Sequence, residues 1–245
     1  MTVTRLLIAN RGEIAARIAR TAAEMGVETV AIHSADDAAS LHVRRADRAV
    51  EIPGQGARAY LDAEAVVAAA VAAGADAVHP GYGFLSENVD FARRVEAAGL
   101  AFVGPTPESL ALFGDKVAAK RRAGELGVPT IPGTAEDTDL PAALAFFDAL
   151  PEGAAMMIKA VAGGGGRGMR AVFARAEVEQ AWTRCKSEAQ AAFGDGAVYV
   201  ERFLPAARHL EVQILGDGQG GVTQLAEREC TLQRRNQKLI EIAPS

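Results

Sequence analysis

A repeated unit of apolar strand, helix and glycine runs through the first half of the chain and constrains its fold more than any other feature. Apolar runs predict strands at residues 6–9, 27–32, 75–78 and 100–103. The helices predicted between them end at Gly26, Gly74 and Gly99. Asp62 and Asn88 are the predicted N-caps of the second and third helix. Such repeats are typical of a parallel sheet with helices on both faces.

A different order of elements follows Pro105 and Pro107. A helical stretch over 108–126 and a linker over 128–132 come first. The next predicted elements are a strand at 156–160, a glycine turn at 163–166, a strand at 169–173, a helix over 176–192 and a strand at 197–203. A hairpin with strands at 210–215 and 222–225 ends the pattern. This order predicts a small α+β module followed by further β structure.

Composition and charge exclude several classes of protein. The chain has 245 residues and is 49% hydrophobic, which is typical of a soluble globular protein with a sizeable core. Its net charge of −5 offers no basic excess for binding nucleic acid. The longest apolar run, at 63–73, is too short to span a membrane, and no secretory signal is expected. With only two cysteines, Cys185 and Cys230, we expect no disulfide framework and a cytoplasmic location.

The glycine run at 163–166 is the sharpest chemical signal. Consecutive glycines expose backbone N–H groups, so the loop can fold over phosphate oxygens and open again. Lys159 and Arg167 bracket the run, and a lysine ammonium suits phosphate. Lysine is rare in this chain, which has five among 26 basic residues, at 116, 120, 159, 186 and 238. The alternative is a flexible surface loop, and no Walker A G-K-[ST] ends the run.

Three further segments each allow a functional and an ordinary interpretation. The predicted strand at 198–204 can present backbone groups to an adenine edge or can simply be a core strand. Residues 226–238 are rich in charged and hydrogen-bonding side chains, and they form either part of a functional site or a solvated charged loop. Residues 79–88 follow a strand and so lie at the carboxyl edge of the sheet, where open α/β sheets bind ligands, or form a turn and an N-cap.

Together these segments resemble the N-terminal half of biotin carboxylases, the ATP-grasp components of biotin-dependent carboxylases. The segments that carry the resemblance, in the family's order, are 8–15 (I-A-N-R-G-E-I-A), 79–88 (H-P-G-Y-G-F-L-S-E-N), 114–116 (G-D-K), 159–170 (K-A-V-A-G-G-G-G-R-G-M-R), 209–213 (H-L-E-V-Q) and 227–238 (E-R-E-C-T-L-Q-R-R-N-Q-K).

The resemblance implies an α/β fold with three parts. A Rossmann-like, parallel-sheet N-terminal (pre-ATP-grasp) domain would be followed by a small α+β ATP-grasp lid module and by the start of the C-terminal ATP-grasp domain. The implied bounds are 1–113 for the N-terminal domain, 114–130 for a helical linker, 131–203 for the lid and 204–245 for the start of the C-terminal domain.

The resemblance also implies a role for individual residues. Those that would bind ATP are Lys116, Lys159, Gly165, Gly166, Glu201, Arg202, Phe203, Leu204, His209, Gln233 and Asn236. The two lysines would contact the phosphates, the two glycines would belong to a mobile lid, and 201–204 would hold adenine, mostly through backbone. Lys238 would be catalytic and would hold bicarbonate, and Tyr82 would lie near biotin. Many relatives carry His at position 236, and Lys also occurs at position 202.

The implied reaction uses ATP, Mg2+ or Mn2+, and biotin as a carrier-bound substrate. ATP would phosphorylate bicarbonate to carboxyphosphate, and deprotonated biotin would capture the CO2 that this releases. The implied partners are bicarbonate, a biotin carboxyl carrier domain and a carboxyltransferase component; a homodimer is open, and neither nucleic acid nor membrane is expected. The final carboxyl acceptor also stays open.

One part of the family's pattern is absent from the sequence. The family's E-x-N-x-R run supplies its metal ligands and a catalytic arginine and precedes the catalytic base, and none of the three asparagines here has Glu two places before it. We therefore expect the metal ligands beyond residue 245 and expect the isolated chain to be catalytically incomplete. Two other functions stay open: another ATP-grasp ligase such as a carbamoyl-phosphate synthetase-like protein, and a non-catalytic nucleotide-binding module.

Overall fold

The chain divides between Gly114 and Asp115 into two units. The structure, a computed structural model, describes residues 2–134, 137–162, 168–234 and 237–245. Among these residues, no helix combines the length and the apolar character that crossing a bilayer requires.

A five-stranded parallel sheet forms the centre of the first unit. Its strands are β1 Arg5–Ile8, β2 Glu28–His33, β3 Arg48–Glu51, β4 Ala77–His79 and β5 Ala101–Phe102. They lie in the order β3-β2-β1-β4-β5, and every neighbouring pair is parallel. The predicted parallel sheet is therefore confirmed. The sequence did not predict β3, because a four-residue edge strand with a charge at each end forms no apolar run.

Six helices connect and flank these strands. They are α1 Gly12–Glu24, α2 Leu41–Arg45, α3 Gly56–Ala59, α4 Ala63–Ala72, α5 Val89–Ala97 and α6 Pro107–Gly114. Both predicted caps are confirmed: Asp62 accepts a hydrogen bond from the Ala65 amide at 3.0 Å, and Asn88 accepts one from the Phe91 amide at 2.8 Å. The short α2 and α3 were not predicted, since each is about one turn long and shows no periodicity.

The core of the first unit lies on both faces of the sheet, as the alternation of side chains along β1 requires. Leu6 and Ile8 pack with Ile14 and Ile18 of α1 on one face. The next residue, Leu7, packs on the other face with the buried side chains of α4 and α5, among them Val66, Phe91 and Val95. Two buried layers therefore hold the strand ends, and the loops that follow them, in fixed positions.

The second unit is built around a three-stranded antiparallel sheet. Its elements are α7 Lys116–Glu125, α8 Leu140–Asp148, β6 Ala155–Ala160, β7 Met169–Val172, α9 Val178–Phe193 and β8 Val198–Phe203, followed by β9 Leu210–Gly216, β10 Val222–Glu229, β11 Gln233–Arg234 and β12 Gln237–Lys238. The three strands lie in the order β7-β6-β8, while β9 pairs with β10 and β11 with β12. The predicted α+β module and hairpin are confirmed.

The helical stretch predicted over 108–126 is confirmed, in the form of the two helices α6 and α7. It is divided at Asp115, whose side chain accepts hydrogen bonds from the amides of Val117 at 2.9 Å and Ala118 at 3.0 Å. Asp115 thereby caps α7, and its extended backbone ends the helical path. Helix α8 was not predicted, although Asp139 caps it and Pro141 lies in its first turn.

Helices α8 and α9 pack against one face of the β7-β6-β8 sheet. Met156 and Ile158 of β6 point to this face and pack with Ala143 of α8 and with Val178 and Cys185 of α9. The alternate residues of β6 and β8 therefore point to the opposite face, where the polar side chains of the unit lie.

Candidate functional site

Lys159 and Glu201 form an ion pair on the face of the sheet that α8 and α9 leave uncovered. In the β6–β8 register, Lys159 is opposite Tyr199 and Glu201 is opposite Met157, so the two charged residues are diagonal neighbours. The Lys159 ammonium donates a hydrogen bond to Oε1 of Glu201. Burial, together with the nearby carboxylate of Glu201, raises the pKa of the Tyr199 hydroxyl to about 12. Glu201 is only 8% exposed, so its carboxylate lies in a largely desolvated place.

Two further lysines extend from α7 toward the same carboxylate. Lys120 Nζ lies 3.9 Å from Oε2 of Glu201. Burial lowers the pKa of Lys116, the positive charge of Lys159 lowers it further, and Glu201 opposes both effects. Two ammonium groups thus pair with one carboxylate, and Lys116 lies near enough to feel the charges of Lys159 and Glu201, which leaves an excess of positive charge. Such an excess, partly screened from water, favours the binding of an anion such as a polyphosphate.

Apolar side chains lie on the same face beside the charges. Met169 of β7 is opposite Lys159, and Met157 of β6 is opposite Glu201. Phe203 continues the face two residues beyond Glu201 and makes an edge-to-face contact with Phe173 at a ring separation of 5.8 Å. A planar apolar group could pack against this part of the sheet, and flexible methionines adapt readily to such a group.

The segment after Glu201 was predicted to hold a base through its backbone. The Arg202 amide donates to the Pro132 carbonyl at 2.9 Å, so this group is already engaged. Leu204 follows the end of β8 and is 44% exposed. Arg202, Phe203 and Leu204 line a cavity of about 280 Å³ together with Phe173 and neighbouring residues. Arg202, Phe203 and Leu204, which with Glu201 form the hinge that the family resemblance implies for adenine, therefore lie together at one end of the sheet and border a space.

A second polar cluster joins the hairpin β9–β10 to β12. The Lys238 ammonium donates to Glu211, and Arg228 Nη2 lies 2.7 Å from the other oxygen of Glu211. These cations lower the pKa of Glu211, and the carboxylate raises the pKa of Lys238. Gln233 donates from its side-chain amide to the Cys230 carbonyl at 2.9 Å. The predicted residues Lys238 and Gln233 thus belong to one hydrogen-bonded cluster.

His209 completes a group of three metal-type donors in this cluster. Single donor atoms of His209, Glu211 and Cys230 lie within 4.8 Å of one another. Both oxygens of Glu211 already contact cations, and burial raises the pKa of the Cys230 thiol above its ordinary value. A metal ion here would have to displace two cations and deprotonate a thiol, so the charge balance of the cluster disfavours a divalent ion.

Tyr82 lies in the first unit, on the loop between β4 and α5. Its side chain is 61% exposed, and its hydroxyl donates to Glu13 in the first turn of α1. The buried side chain of Asn10 donates to the carbonyls of Pro80 at 2.7 Å and Tyr82 at 2.9 Å. The segments at 8–15 and 79–88 are thus fastened to each other, and Asn10 fixes the backbone that presents the exposed ring of Tyr82.

Three of the predicted site residues, Gly165, Gly166 and Asn236, lie outside the described residues. Sequence reasoning missed Lys120 as part of the lysine cluster. The available signal was its spacing: Lys116 and Lys120 are four residues apart, which places both on one face of α7. It also missed Met157, which lies two residues before Lys159 on the same strand and therefore on the same face.

Comparison with known proteins bears on both units. The family of biotin carboxylase N-terminal domains matches residues 2–110, and the family of the carbamoyl-phosphate synthase L chain ATP binding domain matches residues 115–245. The biotin carboxylase of Pseudomonas aeruginosa is 50% identical over 246 residues, which cover 98% of this chain and 54% of that protein. The pyruvate carboxylase of Bacillus subtilis is 48% identical over 247 residues, which cover 100% of this chain and 21% of that protein.

Solved structures give the same result. The biotin carboxylase domain dimer of Hydrogenobacter thermophilus 2-oxoglutarate carboxylase, in complex with MgADP, ADP and bicarbonate, matches with a TM-score of 0.94 and 42% identity, over 100% of this chain and 54% of that one. The β,γ-ATP complex of Campylobacter jejuni biotin carboxylase matches with a TM-score of 0.93 and 42% identity. This match covers 100% of this chain and 55% of that one. The chain thus spans about half the length of these biotin carboxylases. From its two matched domains and these relatives, the chain belongs to the biotin carboxylase family, of which it carries the N-terminal domain and the ATP-binding domain.

Proposed function

We propose that this chain is the ATP-binding portion of a biotin carboxylase, which uses ATP and bicarbonate to carboxylate biotin on a carrier domain. The observation that carries the proposal is the cluster of Lys116, Lys120 and Lys159 around the single carboxylate of Glu201. Its surplus positive charge suits a triphosphate. The apolar residues on the same face suit a purine, and related structures contain ADP or an ATP complex.

In this proposal the two ends of the nucleotide meet different residues. Lys116 and Lys159 hold phosphate oxygens by charge and hydrogen bonding, which positions the phosphate and offsets the charge that develops during phosphoryl transfer. The hinge 201–204 receives the base, with Phe203 and Leu204 beside the cavity described above. His209, Gln233 and Asn236 are assigned to the nucleotide, as are Gly165 and Gly166 of the lid, on the family resemblance alone.

Lys238 is the proposed catalytic residue for bicarbonate. Its ammonium is held by Glu211, which keeps it charged and fixes its direction. A positioned ammonium can bind the bicarbonate anion and then stabilise the carboxyphosphate that forms from it. Tyr82, on the exposed loop of the first unit, is proposed to lie near biotin.

The two carboxylates beside the proposed substrates do not fit Mg2+ or Mn2+ as they stand. Such ions take oxygen ligands, and the two carboxylates beside the proposed substrates, Glu201 and Glu211, are each bonded or paired with two cations. Family relatives bind MgADP, so we propose that the ion is held by ligands other than these two carboxylates.

The whole protein is proposed to act with a biotin carboxyl carrier domain and a carboxyltransferase component. Its relatives include both pyruvate carboxylases and biotin carboxylases, so the molecule that finally accepts the carboxyl group stays open. A homodimer is proposed from the relative whose structure is a dimer. A cytoplasmic location is proposed from the low cysteine content.

Calorimetric titration with a non-hydrolysable ATP analogue tests the proposed nucleotide site. We expect binding, and we expect Lys159→Met to weaken it by about tenfold or more, because hydrogen bonds to charged groups contribute roughly 1.5–3 kcal/mol. Lys186→Met is the matched control, since Lys186 lies on α9 against Trp182, on the helix side of the sheet. Absence of binding at millimolar analogue would contradict the proposal and favour a degenerate or interaction module.

A further inference from the structure

The ammonium of Lys120 is buried, although α7, the helix that carries it, is only partly covered. Helix α7 has no buried residue, yet Nζ of Lys120 itself is buried. Within the described parts of the chain, Nζ has no hydrogen-bond partner, and the group that balances its charge is the Glu201 carboxylate at 3.9 Å. A buried ammonium is costly unless a carboxylate compensates it. The buried position of Nζ therefore indicates that Lys120 and Glu201 compensate each other's charge.

The backbone around Lys120 is shaped to admit this ammonium. Gly133 forms a β-bridge with Glu201. A Cβ at Gly133 would lie 2.8 Å from Nζ of Lys120 and 2.5 Å from the Val200 carbonyl oxygen. Any side chain at position 133 would thus overlap the space that the ammonium uses. Glycine at this position keeps that space open.

Glu201 therefore has one cation on each of its oxygens. Oε1 accepts the hydrogen bond from Lys159, and Oε2 faces Lys120. A phosphate oxygen that binds Lys159 competes with Oε1 for the same ammonium. Without a second cation, that competition would leave a largely buried carboxylate unpaired, which is unfavourable.

We propose that Lys120 is a positioning residue that balances the charge of Glu201, so that Lys159 can exchange its carboxylate partner for a phosphate oxygen. The proposal rests on the proposed function, because it takes a nucleotide phosphate as the ligand of Lys159. Lys120 acts through Glu201 and need not touch the nucleotide itself.

A double-mutant cycle in the intact protein tests this role, with a non-hydrolysable ATP analogue as the probe. Lys120→Met is expected to weaken binding on the order of tenfold, since one partner of a buried charge is lost. Lys120→Arg keeps the charge and is expected to restore most of the affinity. In the Glu201→Gln background the neutral amide needs no counter-charge, so Lys120→Met is expected to change affinity by less than about twofold. Lys186→Met again serves as the control for loss of a lysine.

A second measurement needs no nucleotide and separates this proposal from the proposed function. The chain has only five lysines, so the side-chain signal of Lys159 can be assigned by NMR, and the exchange of its ammonium protons with water can be measured at one pH. Lys120→Met is expected to slow this exchange, because Glu201 then has a single cationic partner and holds Lys159 more tightly, and to slow it less in the Glu201→Gln background. Thermal unfolding of each variant reports whether it is folded.

The outcomes are distinct. An unchanged exchange rate of the Lys159 ammonium protons in Lys120→Met overturns the proposal whether or not nucleotide binds. Equal loss of affinity in the wild-type and Glu201→Gln backgrounds also overturns it, because Lys120 would then act directly as a charge on the phosphate. Failure of the wild-type protein to bind the analogue contradicts the proposed function, and the exchange of the Lys159 ammonium protons then decides the role of Lys120.

Discussion

Lys116 lies where its charged form is disfavoured before any ligand arrives. Burial lowers its pKa below the ordinary value of 10.5, and the ammonium of Lys159 lowers it further. A phosphate would reverse this balance, because an anion stabilises the charged ammonium. Binding of a nucleotide should therefore raise the pKa of Lys116, and affinity and protonation are linked.

The linkage predicts how nucleotide affinity depends on pH. Nucleotide affinity should be highest below the pKa of Lys116 in the unliganded protein and should fall as pH rises through that pKa. Because this pKa is lowered, the loss of affinity should begin at a lower pH than it would for a lysine with an ordinary pKa. Lys116→Arg should flatten the profile, since a guanidinium stays charged. Titration with the ATP analogue between about pH 7.5 and 10, above the last ionisation of the triphosphate, measures this. Identical profiles for the two proteins would contradict the role of Lys116.

At the scale of elements, β8 is the strand on which the site depends. It pairs with β6 on one side. On its other side the Thr134 amide donates to Val200, and the Arg202 amide donates to Pro132. The close approach at Gly133 is part of this second edge. A strand held on both edges keeps Glu201 in register with Lys159, and the ion pair depends on that register.

Gly133→Ala should therefore destabilise the second unit. The added methyl would lie 2.5 Å from the Val200 carbonyl oxygen, and such overpacking costs about 1–3 kcal/mol of unfolding free energy. Gly124→Ala is a matched control: it lies within α7 with nothing within 4 Å of the new Cβ, and alanine there should be neutral or stabilising by up to about 1 kcal/mol. Urea unfolding measures both. Equal stability of Gly133→Ala and the wild type would show that the backbone can shift without cost.

At the scale of the whole molecule, two separately built units carry different parts of the proposed activity. The first unit presents Tyr82 on a loop that Asn10 fastens. The second unit contains the lysines around Glu201 and the cluster around Glu211. The proposed nucleotide and bicarbonate residues thus all lie after residue 114, which is also where the ATP-binding family match begins.

We predict that the 245-residue chain binds an ATP analogue but does not hydrolyse ATP in response to bicarbonate and biotin. The carboxylates beside the proposed substrates are paired with cations, so neither is available as a metal ligand or a base. Measurement of released ADP with and without biotin checks this, with the Pseudomonas aeruginosa biotin carboxylase as the positive control. Robust biotin-dependent turnover by the chain would refute the prediction.

The sequence by itself determined the parallel sheet, the α+β module and the family. Helix periodicity, the caps Asp62 and Asn88 and the glycines after the helices are local signals, and they specify local structure without reference to distant residues. What these signals did not predict was local too. The helical stretch over 108–126 is divided into two helices because the side chain of Asp115 bonds the amides of the next turn, and β3 was missed because it is short and charged at both ends.

Only the tertiary structure decided how the charges meet. Lys159 and Glu201 are 42 residues apart, and their pairing follows from the register of β6 with β8. A shift of one residue would place Glu201 on the helix-covered face. The position of Lys120 depends in addition on Gly133. Ion pairing between distant residues depends on register and close approach, and these are properties of the packed chain that no single segment encodes.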